Sequence, residues 1–456
     1  MTQGSIVKNI IIFALPLLAG NLFQQLYNMV DTWVIGQTGE NGAYAAVGSV
    51  GPITNILIGF FMGLSTGSSV VIAQYYGAKN EEGVKKASHT SVAMTLIMGI
   101  LFTVIGLLMT PLLVSLMFRD NVSVAGYAKT YVLIYFLGTL PNMIYNIGSG
   151  ILRAIGDSSR PFYFLTAAML SNVVLDLLFV FVFKMGVAGV ALATILSQTI
   201  SAVLVTITLL KTDTWIKIEI KDLKIDWNLF GKIFKIGIPA GIQLALTAFS
   251  NVFVQSYIAG INVIPGITEA GKDISTIALA GWTSYSKIDM FIFLPMQSIA
   301  LAATTFVGQN IGCGNIKRAK QGAWTSFLLT LGITCVLIFS IEIFTSPITS
   351  IFNPDPDVVH CSVILLQTLT PFYVFCCVNQ VLSASLRGAG NTIAPTLAML
   401  GAFVGFRQLY LFIISTYVSK ALIPIAMSYP AGWFMCSIIV LTTFFLYDFS
   451  KGKLTK

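Results

Sequence analysis

The stretch IVKNIIIFALPLLAGNLFQQLYNMVDTWVIG, from Ile6 to Gly36, decides the fold class of this chain. A bilayer-spanning helix needs about 20 predominantly apolar residues, and this stretch exceeds that length. It nevertheless contains Asp31, although a carboxylate in hydrocarbon costs roughly 2.5–3.5 kcal/mol on the most lenient insertion scale. A spanning helix that keeps such a residue is typical of ion or substrate transport.

The rest of the composition also indicates a membrane protein. Of 456 residues, 56% are hydrophobic and only 10% are charged, and the mean hydropathy is +0.84. The apolar runs are long and continuous, which excludes the short alternating strands of a β-barrel. We therefore predict an all-α integral membrane protein with twelve transmembrane helices. They lie near residues 8–36, 44–76, 88–112, 126–153, 161–183, 187–210, 231–260, 275–305, 320–345, 359–386, 394–418 and 422–447.

The net charge of +8 is distributed unevenly between the two sides of the predicted helices. Nineteen Lys and Arg residues fall at the termini and in the even-numbered connections. The opposite side carries Arg119, Lys129, Lys184, Lys272 and Lys420. Since Lys and Arg accumulate on the cytoplasmic side, both termini are predicted to be cytoplasmic, in a multi-pass protein of the plasma membrane. This topology accounts for the basic surplus, so no nucleic-acid partner is predicted.

The second half of the chain repeats the first. Gln74-Tyr-Tyr-Gly77 matches Gln309-Asn-Ile-Gly312, and Leu152-Arg153-Ala-Ile-Gly156 matches Leu386-Arg387-Gly-Ala-Gly390. Each repeat holds an even number of spans, so the two predicted lobes, 1–211 and 230–456, are parallel and related by a pseudo-two-fold axis along the membrane normal. Transporters built this way bind substrate between their halves and rock them. The cytoplasmic linker 212–229 is either an amphipathic strip on the membrane surface or an ordinary solvated linker.

Acidic and amide residues gather in the first repeat. Asn172 and Asp176 lie four residues apart and share one helix face, and the predicted topology puts Asp31 at a compatible depth. Asn142, Asn146, Thr194, Ser197 and Gln198 come from neighbouring helices. Two carboxylates among such oxygens suit a shared proton or Na⁺, with Asp31, Asn172 and Asp176 as the possible Na⁺ ligands. The alternative is that these groups only join helices, through bonds worth about 0.6 kcal/mol on average in membranes.

The repeat provides a control for that assignment. The positions equivalent to Asp31, Asn146, Asn172 and Asp176 are Val254, Gln380, Phe406 and Tyr410. The second half therefore lacks both acids, and the ion site is predicted in the first lobe alone.

Pro16 lies about four turns before Asp31. Because proline removes a backbone hydrogen bond, it permits a kink that could respond to ion binding at Asp31. Pro239 occupies the matching place with no acid after it, which favours plain packing instead.

The second half has its own intramembrane charges: Lys287, Asp289 and Arg407. Three interpretations stay open, namely a buried ion network, substrate contact and a second coupling site. Further amide and aromatic residues are candidates for the substrate cavity. These are Gln24, Tyr27, Asn28, Asn251, Gln255 and Gln380.

These motifs together resemble those of the multidrug and toxic compound extrusion (MATE) transporters. The resemblance rests on Leu15-Pro16, Asn28-Met-Val-Asp31 and the two repeated motifs above, and it covers essentially the whole chain. It implies two six-helix lobes and export of cationic organic compounds in exchange for H⁺ or Na⁺. It also implies ion-site roles for five first-lobe residues. They are Asp31, Asn146, Asn172, Asp176 and Thr194.

We thus expect a secondary active efflux antiporter, with no cofactor beyond the coupling ion, acting as a monomer. The alternative within the same architecture is a flippase for a lipid-linked precursor, but its pyrophosphate would require a more basic cavity. An enzyme is not expected, because the chain has no His-Glu-x-x-His motif, no paired catalytic Asp motif and no Ser/His dyad.

Overall fold

The computed structural model of the chain describes residues 1–37, 41–117, 122–267 and 273–455. Arg119, Lys272 and Lys456, which contribute to the charge pattern, lie outside these residues. Over the described ranges the chain is helical, with one isolated bridge between Val263 and Ala421.

The helices follow one another with short connections, and π-helical turns at 178–182, 401–406 and 414–418 extend three of them. In chain order they are α1 (Ile6–Gly36), α2 (Asn41–Gly77), α3 (Glu81–Met117), α4 (Val122–Leu137), α5 (Thr139–Ala154), α6 (Ser159–Leu177), α7 (Gly186–Lys211), α8 (Trp227–Ala259), α9 (Ile274–Gly312), α10 (Ile316–Ile343), α11 (Thr345–Phe352), α12 (Pro356–Leu369), α13 (Tyr373–Gly388), α14 (Ile393–Leu400), α15 (Arg407–Ile413), α16 (Leu422–Ala426) and α17 (Ser428–Leu446).

The prediction of an all-helical membrane protein is confirmed. Within the described residues, eleven helical stretches are long and apolar enough to cross a membrane. The fourth predicted span is the pair α4 and α5, which meet at Gly138, and the tenth is α12 and α13, joined by a 3₁₀ turn that contains Pro371. Short α11 was not predicted.

Polar residues fix where several helices begin. The Asn315 side chain accepts a hydrogen bond from the backbone N–H of Arg318 at 3.0 Å and starts α10. Asp226 caps α8 and Asp355 caps α12 in the same manner. Asp273 caps α9, and the N–H and hydroxyl donors of Ser275 and Thr276 lower its pKa to about 2. Such caps satisfy backbone donors that have no partner within the helix.

The linker between the repeats packs onto the first lobe with its alternating apolar residues inward. Ile216 and Ile218 are buried in the cluster that also holds core residues of α2, α3 and α5. The Lys85 ammonium lies 3.4 Å from Glu219 and 3.0 Å from Asp222, and it lowers the pKa of Asp222. The apolar alternation therefore faces protein, and only Ile220, 71% exposed, faces outward.

The two halves of the chain meet along α2 and α8. Gly63 and Gly67 of α2 face Gly237 and Gly241 of α8, and a Cβ at Gly63 would overlap the backbone of Gly241. Small residues at four-residue spacing let membrane helices approach this closely. This contact positions α1, α6 and α7 on one side of the interface and α9, α13 and α17 on the other.

Candidate functional site

The structure brings together four of the predicted ion-site residues. The Asp31 carboxylate of α1 faces the side chains of Asp176 and Asn172 on α6 and Thr194 on α7. The shared face of Asn172 and Asp176 results from their four-residue spacing on α6. The predicted meeting of the two acids inside the first lobe is thus observed in the structure.

These groups are buried yet lack ordinary partners. Asp176 is 0% exposed and Asn172 is 1% exposed. Five of their polar atoms have no partner in hydrogen-bond geometry among the described residues. They are both carboxylate oxygens of Asp176, both polar atoms of the Asn172 amide, and Asp31 Oδ1. Unpaired buried polar atoms are expensive, so an arrangement that keeps five of them suits a ligand rather than helix packing alone.

Two tyrosines complete the surroundings of the acids. The Tyr27 and Tyr131 hydroxyls lie near enough to Asp31 to interact with it electrostatically, and Tyr131 also interacts with Asp176. Tyr131 stacks on Tyr135 with ring centroids 6.2 Å apart. Sequence reasoning missed Tyr131, because a tyrosine at helical spacing is common and carries no distinctive signal.

A cavity of about 190 Å³, lined by both polar and apolar side chains, runs beside this cluster. Gln24, Tyr27, Asn172 and Pro16 line it, and Arg153 lies in its wall with Nη2 3.3 Å from Ser65 Oγ. The cavity is also lined by Asn21, Thr66, Asn142, Asn146, Ser197 and Gln198.

Asn146 occupies the cavity wall rather than the acid cluster. Its amide donates to the Asn142 carbonyl at 2.9 Å and to Asn142 Oδ1 at 2.5 Å. Of the predicted cavity residues of α1, Gln24 and Tyr27 line the cavity, whereas Asn28 is exposed.

In the second lobe, the three intramembrane charges are held separately. Asp289 accepts hydrogen bonds from the hydroxyls of Tyr285, at 3.3 Å, and Tyr373. Lys287 lies over the Phe352 ring, 5.7 Å from its centroid. No ion pair joins Lys287, Asp289 and Arg407 within the part of the chain that the structure describes.

Arg407 is 3% exposed and bonds to α8. Its Nη2 donates to Ser250 Oγ at 2.9 Å and to Asn251 Oδ1 at 2.8 Å, and its guanidinium stacks over Tyr429 at 4.8 Å. The partner of each charge is therefore a hydroxyl, an amide or an aromatic ring. Of the other predicted cavity residues, Gln255 is exposed and Gln380 is half-buried.

The two lobes are closed against each other at one end, which we call the basic end because most of the lysines and arginines gather there. Gln74 Nε2 of α2 donates to the Gly388 carbonyl at 3.1 Å, and Gln309 Nε2 of α9 donates to the Ala154 carbonyl at 2.7 Å. Both glutamines are 0% exposed. A Cβ at Gly77 would overlap the Gln309 carbonyl oxygen, which shows how tightly this end is closed.

Two homologous helical halves, a buried acid cluster beside a cavity, and reciprocal contacts that close one end are the features of a membrane transporter. The chain belongs to the MatE family, whose profile matches residues 16–178 and 240–413. It is accordingly a transporter of the multidrug efflux class and not an enzyme, as the sequence predicted.

Similar proteins cover the whole chain. A probable multidrug resistance protein YoeA of Bacillus subtilis (strain 168) is 28% identical over 467 aligned residues, which span 100% of this chain and 96% of that protein. A probable multidrug resistance protein NorM of Thermotoga maritima is 26% identical over 98% of this chain and 93% of its own length.

A solved structure of a multidrug resistance MATE family transporter in an outward-facing conformation shares the fold. It superimposes with a TM-score of 0.89 at 23% identity and covers 99% of this chain and 97% of its own. The flippase alternative for the present chain is not favoured by these similarities.

Proposed function

We propose that this protein exports cationic or amphipathic organic compounds across the plasma membrane in exchange for H⁺ or Na⁺, acting as a monomer. The observation that carries the proposal is the pair of carboxylates, Asp31 and Asp176, which face each other beside a cavity and keep oxygens with no hydrogen-bond partner among the described residues. An acid kept inside a membrane protein is a functional-site hypothesis by default.

The donor set fits either coupling ion. Two facing carboxylates can share one proton, since like charges so close together do not both ionise easily. Na⁺ is a hard cation that oxygen ligands suit, and Asp31, Asp176, Asn172 and Thr194 offer carboxylate, amide and hydroxyl oxygens. Asn146, in our proposal, contributes through the cavity wall instead.

The cavity suits an organic cation at the same place. Amide and aromatic groups of Gln24 and Tyr27 line it next to the acids, and a cation is attracted by both carboxylates and ring faces. If substrate and ion compete for one acid pair, binding of one favours release of the other, which is the requirement for exchange.

We further propose that the basic end faces the cytoplasm, in keeping with the positive-inside rule. The described closure at Gln74 and Gln309 then blocks the cytoplasmic side. Export requires the opposite closure in turn, and rocking of parallel halves provides it.

The test is substrate counterflow in proteoliposomes under separately imposed pH and Na⁺ gradients. The rate of gradient-driven export should fall about tenfold or more in Asp31→Asn and in Asp176→Asn, because each substitution removes one carboxylate of the pair. The gradient that drives the wild type identifies the ion.

Asp289→Asn is the matched control, since it neutralises a buried acid whose oxygen already accepts tyrosine hydroxyls. It should retain most of the export. Wild-type rates for both Asp31→Asn and Asp176→Asn under either gradient would refute the coupling assignment.

A further inference from the structure

The segment that follows α17, Tyr447–Thr455, crosses between the lobes at the basic end. We call it the tail. Phe449 anchors it to the second lobe: this side chain is 0% exposed and packs against the rings of Phe444 and Tyr447. Gly452 then lies directly against the Ala389 carbonyl, so closely that a Cβ at this position would overlap the oxygen.

Beyond Gly452 the tail bonds to the first lobe. Its Leu454 N–H donates to Gln74 Oε1 at 2.8 Å, and Gln74 Nε2 donates to the Gly452 carbonyl at 3.1 Å. The Leu454 side chain packs against the apolar cluster that contains Val71 and Leu229. The buried side chain of Gln74 in the first lobe thus bonds to the tail of the second lobe through both its amide nitrogen and its amide oxygen.

A lysine of α8 completes the contact. Lys232 Nζ donates to the Leu454 carbonyl at 2.6 Å and to the Tyr75 hydroxyl at 3.1 Å, and it lies 5.6 Å from the centre of the Tyr75 ring. Because Tyr75 belongs to α2 and Lys232 to α8, the lysine joins the tail to both lobes.

The tail adds bonds across the lobes to those that Gln74 and Gln309 make with the Gly388 and Ala154 carbonyls. The bonds from Gln74 to Gly388 and from Gln309 to Ala154 are equivalent under the repeat. Gln74 bonds in addition to Leu454 and Gly452 of the tail, and Gln309 Oε1 accepts from the Met1 amino group at 3.1 Å. A closure by the two glutamines alone would need no tail. The additional bonds stabilise one conformation specifically, because separating the lobes at this end leaves the buried Gln74 amide without these partners.

We propose that the tail is a clamp that stabilises the conformation closed at the basic end and so sets the ratio of the two alternating states. The cytoplasmic location of the clamp rests on the function proposed above. A ligand or segment shifts such an equilibrium only by its preference for one state, and the contacts of Leu454, Gly452 and Lys232 provide that preference.

The experiment measures the distance across the basic end directly. Spin labels are placed at Glu81 and Lys317, which are exposed ends of α3 and α10, after the two exposed cysteines, Cys313 and Cys335, are replaced by serine. Electron–electron double resonance then gives the populations of closed and open basic ends in detergent and in nanodiscs.

Two variants release the clamp. Truncation after Ser450 keeps the Phe449 anchor and removes Gly452 and Leu454, while Lys232→Met leaves the tail whole and removes only the lysine bonds. We expect the open-to-closed ratio to rise about five- to thirtyfold in the truncated protein, which loses the two bonds to Gln74 and the one to Lys232. The rise should be smaller in Lys232→Met, which loses only the two bonds of the lysine. Lys451→Ala, an exposed change in the same segment, should leave the ratio unchanged.

An unchanged distance distribution in the truncated protein, with its melting temperature preserved, would overturn the proposal. If truncation unfolds the protein, Lys232→Met decides in its place, and an unaltered ratio there is equally negative. The measurement needs neither substrate nor an ion gradient, so failure of the antiport proposal in proteoliposomes is a separate result.

Discussion

The two lobes derive from one repeated sequence but hold their buried acids in different ways. In the first lobe, Asp31 and Asp176 lie beside a cavity and have oxygens without hydrogen-bond partners in the part of the chain that the structure describes. In the second lobe, Asp289 accepts two tyrosine hydroxyls, and Arg407 donates to groups of α8. Satisfied polar groups order a protein interior, whereas unsatisfied ones are costly unless a ligand completes them.

The difference separates the two roles that intramembrane charges can have. By this comparison the charges of the first lobe bind the coupling ion, and those of the second lobe stabilise the packing of its helices. Of the three interpretations of Lys287, Asp289 and Arg407, the separate partners favour an ordering role, although they form hydrogen bonds and ring contacts rather than an ion network. The comparison predicts effects of different size and sign in the two lobes.

The largest effect on stability is expected in the second lobe. Tyr373→Phe removes a hydroxyl whose hydrogen bond Asp289 accepts. The free energy of unfolding should fall by about 2 kcal/mol, because a hydrogen bond to a charged group contributes about that much. Thermal unfolding in detergent measures this change. Export by the folded protein should persist, because the acid pair of the first lobe is untouched.

Tyr417→Phe is the control for that variant. It makes the same chemical change in the same lobe, but Tyr417 is 75% exposed, so its stability should equal that of the wild type. A Tyr373→Phe protein as stable as Tyr417→Phe would break the comparison, because Asp289 would then not depend on its partners.

A smaller effect of the opposite sign is expected in the first lobe. Asp176→Asn replaces a buried carboxylate, which faces the carboxylate of Asp31, by a neutral amide of the same shape. The variant should be more stable than the wild type by about 1 kcal/mol when neither H⁺ nor Na⁺ is supplied, at the expense of transport. Melting temperatures at alkaline pH without Na⁺ provide the measurement.

Adding the coupling ion should erase this gain. Acid or Na⁺ completes the wild-type site and stabilises it by mass action, but does much less for Asp176→Asn. A variant that melts below the wild type without the ion would indicate that Asp176 is structural, as Asp289 is in our interpretation.

Hydropathy was enough to predict the spans but not the helix ends. The third predicted span starts at residue 88, whereas α3 begins at Glu81. The eighth predicted span ends at residue 305, whereas the corresponding helix, α9, continues to Gly312. An apolar run marks only the part of a helix that lies in hydrocarbon. The polar turns beyond it depend on caps such as Asn315 and on contacts at the basic end.

The acids could be predicted because a carboxylate in an apolar run is rare, so Asp31 and Asp176 stand out. The linker could not, since the Lys85 ion pairs that hold it belong to a distant helix. The partner of Asp289 could be narrowed only to Arg407 or a polar group on another helix, and the packing of α9 on α13 places the Tyr373 hydroxyl against it. Sequence gives the chemistry of a residue, and only packing selects its partner.

The smallest effect concerns the two prolines that the repeat aligns. Pro16 lines the cavity of the first lobe within α1, and Pro239 lies within α8, where no acid follows it. If Pro16 lets α1 bend when the ion binds, Pro16→Ala should slow export by about threefold, since the alanine restores a helix hydrogen bond that resists bending. Ion binding, measured as ion-dependent melting, should persist in this variant. Pro239→Ala is the matched control and should leave export unchanged. If the Pro16→Ala and Pro239→Ala proteins export at the same rate, Pro16 has only a packing role, and the two lobes do not differ in the function of this proline.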